Sequence, residues 1–169
     1  MARFLIVGCG CRGLELTRSL RANGHAVRAT TRDPRRRAEI EAAGAESYVG
    51  DPDRVATLAP ALAHVGVACL LLGSASGSAE QLAALHGTRL DMLLERMLDT
   101  TVRGIVYEAA GTVDPALLAA GAQRVRHACE RSLIPYVLLD ADPRDHTAWV
   151  PVAAAAVERA LLSRDQFAR

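Results

Sequence analysis

Gly8, Gly10 and Gly13 stand as Gly-x-Gly-x-x-Gly directly behind the apolar run Phe4-Leu5-Ile6-Val7. Directly after them comes Leu14-Glu15-Leu16-Thr17-Arg18-Ser19-Leu20, a stretch of helical composition. This is the order in which a buried parallel strand turns into a helix around a dinucleotide pyrophosphate. Each glycine has a mechanical reason. Gly8 permits the tight turn, Gly10 lets the backbone approach phosphates, and Gly13 lets the helix pack close to the strand. The helix N-terminus then offers free N–H groups and a positive dipole end to an anion. The loop residues Gly8, Cys9, Gly10, Cys11, Arg12 and Gly13 are therefore expected to bind a nucleotide cofactor.

The rest of the chain continues the same pattern. Val27 to Thr31 reads as a second strand, and Asp33-Pro34 opens a helix that runs to about Ala43 and stops at Gly44. Glu46 to Val49 is a third strand, and Val55, Leu58 and Leu62 space one face of a third helix. Val65 to Leu72 is a continuous apolar run, as a central strand covered on both faces requires. The flexible Gly73–Ser78 stretch follows, then a helical region broken near His86-Gly87, with Leu90, Leu93, Leu94, Met97 and Leu98 on one face. Gly104 to Tyr107 is the fifth strand, Asp114-Pro115 caps a helix through about Ser132, and Pro135 to Leu139 is the sixth strand. A last helix spans roughly Thr147 to Ser163, with Trp149, Val152, Ala153, Ala156, Val157, Ala160 and Leu161 on its apolar side. The expected fold is α/β: a single Rossmann-type doubly wound parallel sheet of six strands, order 3-2-1-4-5-6, with helices on both faces. It occupies residues 1–169 as one domain and leaves no room for a separate substrate domain.

A length of 169 residues with half of them hydrophobic suits one such core. A net charge of +1 removes the electrostatic case for nucleic acid or a membrane surface as partner. No apolar stretch reaches membrane-spanning length, and Arg3 is too close to the glycine loop for a signal peptide, so a cytoplasmic location is expected. The four cysteines do not form a disulfide-like framework, and Cys9-x-Cys11 is too short for the usual zinc pairing, so no metal is expected. All twenty basic residues are arginine. No mechanism that uses a lysine of this chain is open to it.

A ribose-binding carboxylate belongs about 20 residues beyond the glycines, at the end of the second strand. That place holds Thr30-Thr31-Arg32, followed by Arg35-Arg36-Arg37, and Asp33 is better explained as a helix cap. Arginine there pairs a 2′-phosphate through its planar fork, and Arg12 could reach the same phosphate. NADP(H) is therefore expected over NAD(H), with Thr31 and Arg32 among its contacts. At least one of Arg35 to Arg37 is expected to be a solvated helix face. Asp51 either meets the adenine edge or caps the next helix.

These residues resemble the atypical short-chain dehydrogenase/reductase families, especially the epimerase-like ones. The likeness rests on Ile6-Val7-Gly8-Cys9-Gly10-Cys11-Arg12-Gly13, Thr30-Thr31-Arg32-Asp33-Pro34 and Val49-Gly50-Asp51. Leu71-Leu72-Gly73, Ile105-Val106-Tyr107 and Ile134-Pro135-Tyr136-Val137-Leu138 look like the later strands of that fold. The resemblance implies NADP binding, with Gly73 and Ser74 at the cofactor after the fourth strand. Active relatives use a serine after the fifth strand and a tyrosine with a lysine four residues on. Here Glu108-Ala109-Ala110-Gly111 stands in the serine's place, and Tyr48, Tyr107 and Tyr136 are followed four positions on by Pro52, Gly111 and Asp140. The standard dehydrogenase machinery is not expected in this chain.

Other groups could act beyond the carboxyl ends of the strands: Ser74 and Ser76, Thr112, and Asp140, Asp142, Asp145 and His146. His146 with Asp142 or Asp145 could form an acid–base pair, although aspartates around Pro143 also serve as turn formers and caps. His86 and His127 read as surface or groove residues. Cys11 is either a redox-sensitive thiol at a helix N-terminus or a small residue filling a crowded loop. Three functions follow. One is a small NADPH-dependent reductase of the flavin- or biliverdin-reductase type, passing hydride directly to a conjugated small-molecule acceptor. The second is a non-catalytic NADP-binding sensor or regulatory protein, and the third a cofactor-free interaction protein. The apolar sides of the last helix and of Leu90–Leu98 either pack on the sheet or leave one face for a homodimer.

Overall fold

In the computed structural model, residues 2–163 are described; Met1 and residues 164–169 of the expected domain lie outside them. Strand β1 (Arg3–Val7) is buried from Phe4 onward because it sits in the middle of the sheet. Alternate side chains supply opposite faces: Phe4 and Ile6 join one core, Leu5 and Val7 the other. Helix α1 (Cys11–Ala22) follows, then β2 (Ala26–Thr31), α2 (Arg37–Ala42), β3 (Glu46–Val49), β4 (Val67–Leu70), α3 (Ala79–Leu85) and α4 (Thr88–Leu98). Strand β5 (Gly104–Glu108), α5 (Pro115–Ser132), β6 (Tyr136–Leu139) and α6 (His146–Leu162) complete the described chain. All five strand pairings are parallel, and the order is β3-β2-β1-β4-β5-β6, as the sequence predicts.

Helices cover both faces. Leu14, Leu16 and Leu20 of α1, Ile40 of α2, and Trp149, Ala153 and Val157 of α6 fill one core. Leu85 of α3, Leu90, Leu93, Leu94 and Met97 of α4, and Val125 and Cys129 of α5 fill the other. The apolar faces of α4 and α6 are thus committed to the sheet; Val152, expected on the packed side, is instead exposed. No described helix is long and apolar enough to cross a membrane.

The elements differ from expectation in three places. The third helix is two 3-10 turns, Val55–Thr57 and Ala59–Leu62. Pro60 has no N–H to continue a ladder, and the segment is too short to repay α-helix nucleation. Val55, Leu58 and Leu62 nevertheless bury the expected face. The helix after Asp33 begins as a 3-10 turn over Pro34–Arg36, with the Asp33 carboxylate accepting from the Arg35 N–H as the cap. The laddered part of β4 is shorter than its apolar run; Val65, Leu71 and Leu72 are buried beside it without extending the strand.

Candidate nucleotide site

The order β3-β2-β1-β4 places the reversal of winding between β1 and β4, where open α/β sheets form a ligand crevice beyond their carboxyl ends. A cleft of about 670 Å³ lies there. Gly8 turns the chain into it at φ +84°, and an added Cβ would stand 2.5 Å from the Leu71 carbonyl oxygen, so only glycine fits without strain. A Cβ on Gly10 would meet nothing within 4 Å, leaving the loop's cleft side open. One on Gly13 would press on Cys9 Sγ at 3.1 Å, which is the close helix–strand contact expected there.

The loop's donors divide cleanly. The Cys9 N–H donates to Thr30 O and the Gly10 N–H to Gly8 O, so both are already bonded within the fold. The N–H groups of Cys11, Arg12 and Gly13 have no acceptor among the described residues. No side chain caps α1, and no acid stands in its first turn. Three converging donors and a positive helix end therefore face the cleft. Cys9 turns its thiol into the core, where burial pushes it up to about 11, while Cys11 is exposed at the cleft.

At the end of β2, Thr30, Thr31, Arg32, Asp33 and Arg36 line one end of the cleft. Arg32 is exposed and makes no ion pair among the described residues. Of the following arginines, Arg35 is 90% exposed and folds back on Asp33, Arg37 reaches Ser47, and Arg36 crosses to the Cys9 carbonyl at 2.8 Å. Arg36 is thus a cleft residue that sequence reasoning did not separate from its neighbours. Asp51 lines the same end, and its carboxylate accepts from the Asp53 N–H in a turn rather than capping a helix. Arg36 also pairs with Glu39 at 2.9 Å, so Arg32 is the cation at this end that makes no ion pair among the described residues.

Arg12 does not point toward β2. Its guanidinium runs the other way, lies over the Trp149 ring at 5.2 Å, and donates to Glu108 Oε1 at 2.5 Å. Glu108 is fully buried at the end of β5, and its second oxygen accepts from the Gly73 N–H at 2.9 Å. Burial pushes the Glu108 carboxyl above the usual carboxylate range, while the Arg12 charge and the Gly73 N–H pull it back. The shared 2′-phosphate role expected for Arg12 does not fit this orientation. Nor is Gly73 open to a cofactor: it is buried, its N–H is taken by Glu108, and a Cβ there would collide with the Ala110 carbonyl.

Ser74 and His146 line the other end of the cleft; Thr112 does not, and its N–H donates to Ser74 Oγ. His146 approaches neither Asp142 nor Asp145. Asp142 binds Arg144, which holds its carboxyl down at about 2, and Asp145 caps α6 through the Ala148 N–H. The partner of His146 is Glu15 of α1, at 3.5 Å. His86, expected to be a surface or groove residue, is 1% exposed. Its Nε2 donates to the Leu72 carbonyl at 3.1 Å, which leaves Nδ1 to accept from the Tyr107 hydroxyl at 2.6 Å. A histidine closing a helix that has a buried carbonyl above it gives no pattern that periodicity can detect. Glu108 did carry a signal: a single acid ending the otherwise apolar run Gly104 to Tyr107 needs a buried cation.

A profile of a family described as NAD(P)H-binding matches residues 8–142. None of the curated proteins matches the sequence. Among solved structures, the chain is similar to a short-chain dehydrogenase/reductase superfamily protein from Agrobacterium tumefaciens with bound NAD. Identity is 19%, the TM-score is 0.65, and the match covers 80% of this chain and 48% of that one. It is similar to vestitone reductase from alfalfa, Medicago sativa, at 16% identity and TM-score 0.61 over 82% of this chain and 56% of that one. It also resembles a triphenylmethane reductase from Citrobacter sp. complexed with NADP(H), at 20% identity and TM-score 0.60, covering 81% and 48%. At such identities the likeness is one of fold. The chain spans about half the length of these structures.

Proposed function

We propose that this chain, which belongs to the NAD(P)H-binding family, holds NADP(H) in its cleft and presents it to a small conjugated acceptor such as a flavin. The observation that carries the reading is the pairing of open N–H donors at α1 with Arg32, which makes no ion pair among the described residues, while the one acid at the end of β2, Asp33, is taken up by the Arg35 N–H and side chain. The donors of Cys11, Arg12 and Gly13 suit a diphosphate, Arg32 and Arg36 suit a 2′-phosphate, and Asp51 suits the adenine edge. When bound, the reduced nicotinamide supplies a hydride. The chain's residues orient the two partners: Leu72, Leu82 and Leu85 give the far end of the cleft an apolar wall, and Ser74 offers a hydroxyl. A proton for the acceptor comes from solvent or from His146 at the cleft margin.

A sensing role is the second reading. It is favoured by one observation: of the acid–base candidates, His146 alone lines the cleft, and it is tethered to Glu15. Fluorescence titration of the single tryptophan, Trp149, with NADPH and NADH tests binding, and an oxidation screen with flavins and quinones tests turnover. Reductase action predicts NADPH binding with acceptor-dependent loss of NADPH absorbance. Tight binding with no turnover of any acceptor favours the sensor, and no binding of either nucleotide at millimolar concentration overturns both. Arg32→Asp is expected to weaken NADPH at least tenfold more than NADH; equal loss would refute the 2′-phosphate assignment.

A further inference from the structure

We infer that Glu108 is a positioning residue that aims Arg12 at the diphosphate of the dinucleotide, away from its 2′-phosphate; this rests on the dinucleotide reading above. The strand order decides the direction. Arg32 stands at the end of β2, one strand to one side of β1, whereas Glu108 stands at the end of β5, two strands to the other side. Arg12 leaves the first turn of α1 between them, and its guanidinium crosses the crevice toward β5.

Three contacts hold that path. Glu108 Oε1 takes one N–H of the fork, the Trp149 face supports its plane, and the Gly73 N–H fixes the opposite carboxylate oxygen. The carboxylate therefore ties α1, the turn after β4 and the end of β5 at the one place where the sheet reverses its winding. It does not saturate the arginine. A guanidinium carries five N–H donors, and Glu108 is its only hydrogen-bonding partner among the described residues; Nε is buried with none. Arg12 still keeps 17% of its side chain open and lines the cleft beside its own open backbone N–H. A diphosphate seated on the α1 N-terminus lies within the reach of a cation fixed there. A 2′-phosphate at the end of β2 does not. The arginines thus divide, with Arg12 serving every dinucleotide alike and Arg32 and Arg36 telling NADP(H) from NAD(H).

Replacing Arg12 alone strands a buried carboxylate, so the test uses Glu108→Gln and the double variant Arg12→Gln/Glu108→Gln, each checked for folding by thermal melting. Calorimetry then compares NADPH, NADH and adenosine 2′-monophosphate, which has the 2′-phosphate but no diphosphate. Positioning predicts that the double variant weakens NADPH and NADH by the same factor, about tenfold or more, and leaves adenosine 2′-monophosphate unchanged. Glu108→Gln alone gives an intermediate, equally shared loss. A loss confined to NADPH, an equal loss for the diphosphate-free probe, or no loss at all in folded variants overturns the assignment. Failure of the wild-type protein to bind any of the three instead removes the dinucleotide reading on which it stands.

Discussion

His86 shows how much a buried polar side chain decides that its sequence position conceals. Its neutral ring joins the Leu72 carbonyl to the Tyr107 hydroxyl, and burial holds its pKa below the ordinary value. The folded protein therefore resists taking a proton that the unfolded chain accepts near pH 6.5. Its contribution to stability is complete above that pH and is lost as pH falls below it. Melting temperature is expected to drop between pH 7 and pH 5, and His86→Gln, which cannot titrate, is expected to flatten the drop. An unchanged slope would remove His86 as its source. Gly8 makes a different demand, at positive φ and 2.5 Å from the Leu71 carbonyl for any Cβ. Gly8→Ala is expected to cost about 2 kcal/mol or more in denaturant unfolding.

Elements were legible where a side-chain pattern and a boundary residue agreed. The continuous apolar runs of β1 and β4 announce strands covered on both faces, and the spacing of Leu90, Leu93, Leu94 and Met97 announces α4. Asp114 before Pro115 announces α5, and its carboxylate does accept from the Ala116 N–H. Asp114→Ala is expected to lower stability by about 1 kcal/mol, read as a shift in denaturation midpoint. Residues 55–62 were not legible as 3-10 turns, because Val55, Leu58 and Leu62 bury the same face in either geometry and only Pro60 separates the two. The glycine loop could be read because its neighbours in space are its neighbours in sequence. Contacts such as Arg12 with Glu108, 96 residues apart, are set by strand order and could not.

For the molecule as a whole, one topology accounts for both the cores and the cleft. Parallel strands with helices on both faces put every strand's carboxyl end on one edge, and the reversal between β1 and β4 opens that edge beside α1. Because α4 and α6 turn their apolar faces inward, sedimentation is expected to show a monomer at micromolar concentration. A dimer would have to be built from other surface. The chain spans about half the length of the Agrobacterium and Citrobacter structures it resembles, and its own cleft lies wholly within this span.

The site itself is tested by following backbone amides by NMR as NADPH is added to the isotope-labelled protein. Binding in this cleft predicts that the amides of Cys11, Arg12 and Gly13 move most, together with those of Thr31 and Arg32, while β6 and the far end of α6 stay still. The same titration with NADH is expected to leave Arg32 nearly unmoved. Shifts centred away from the glycine loop, or none at all with millimolar NADPH, would contradict the account.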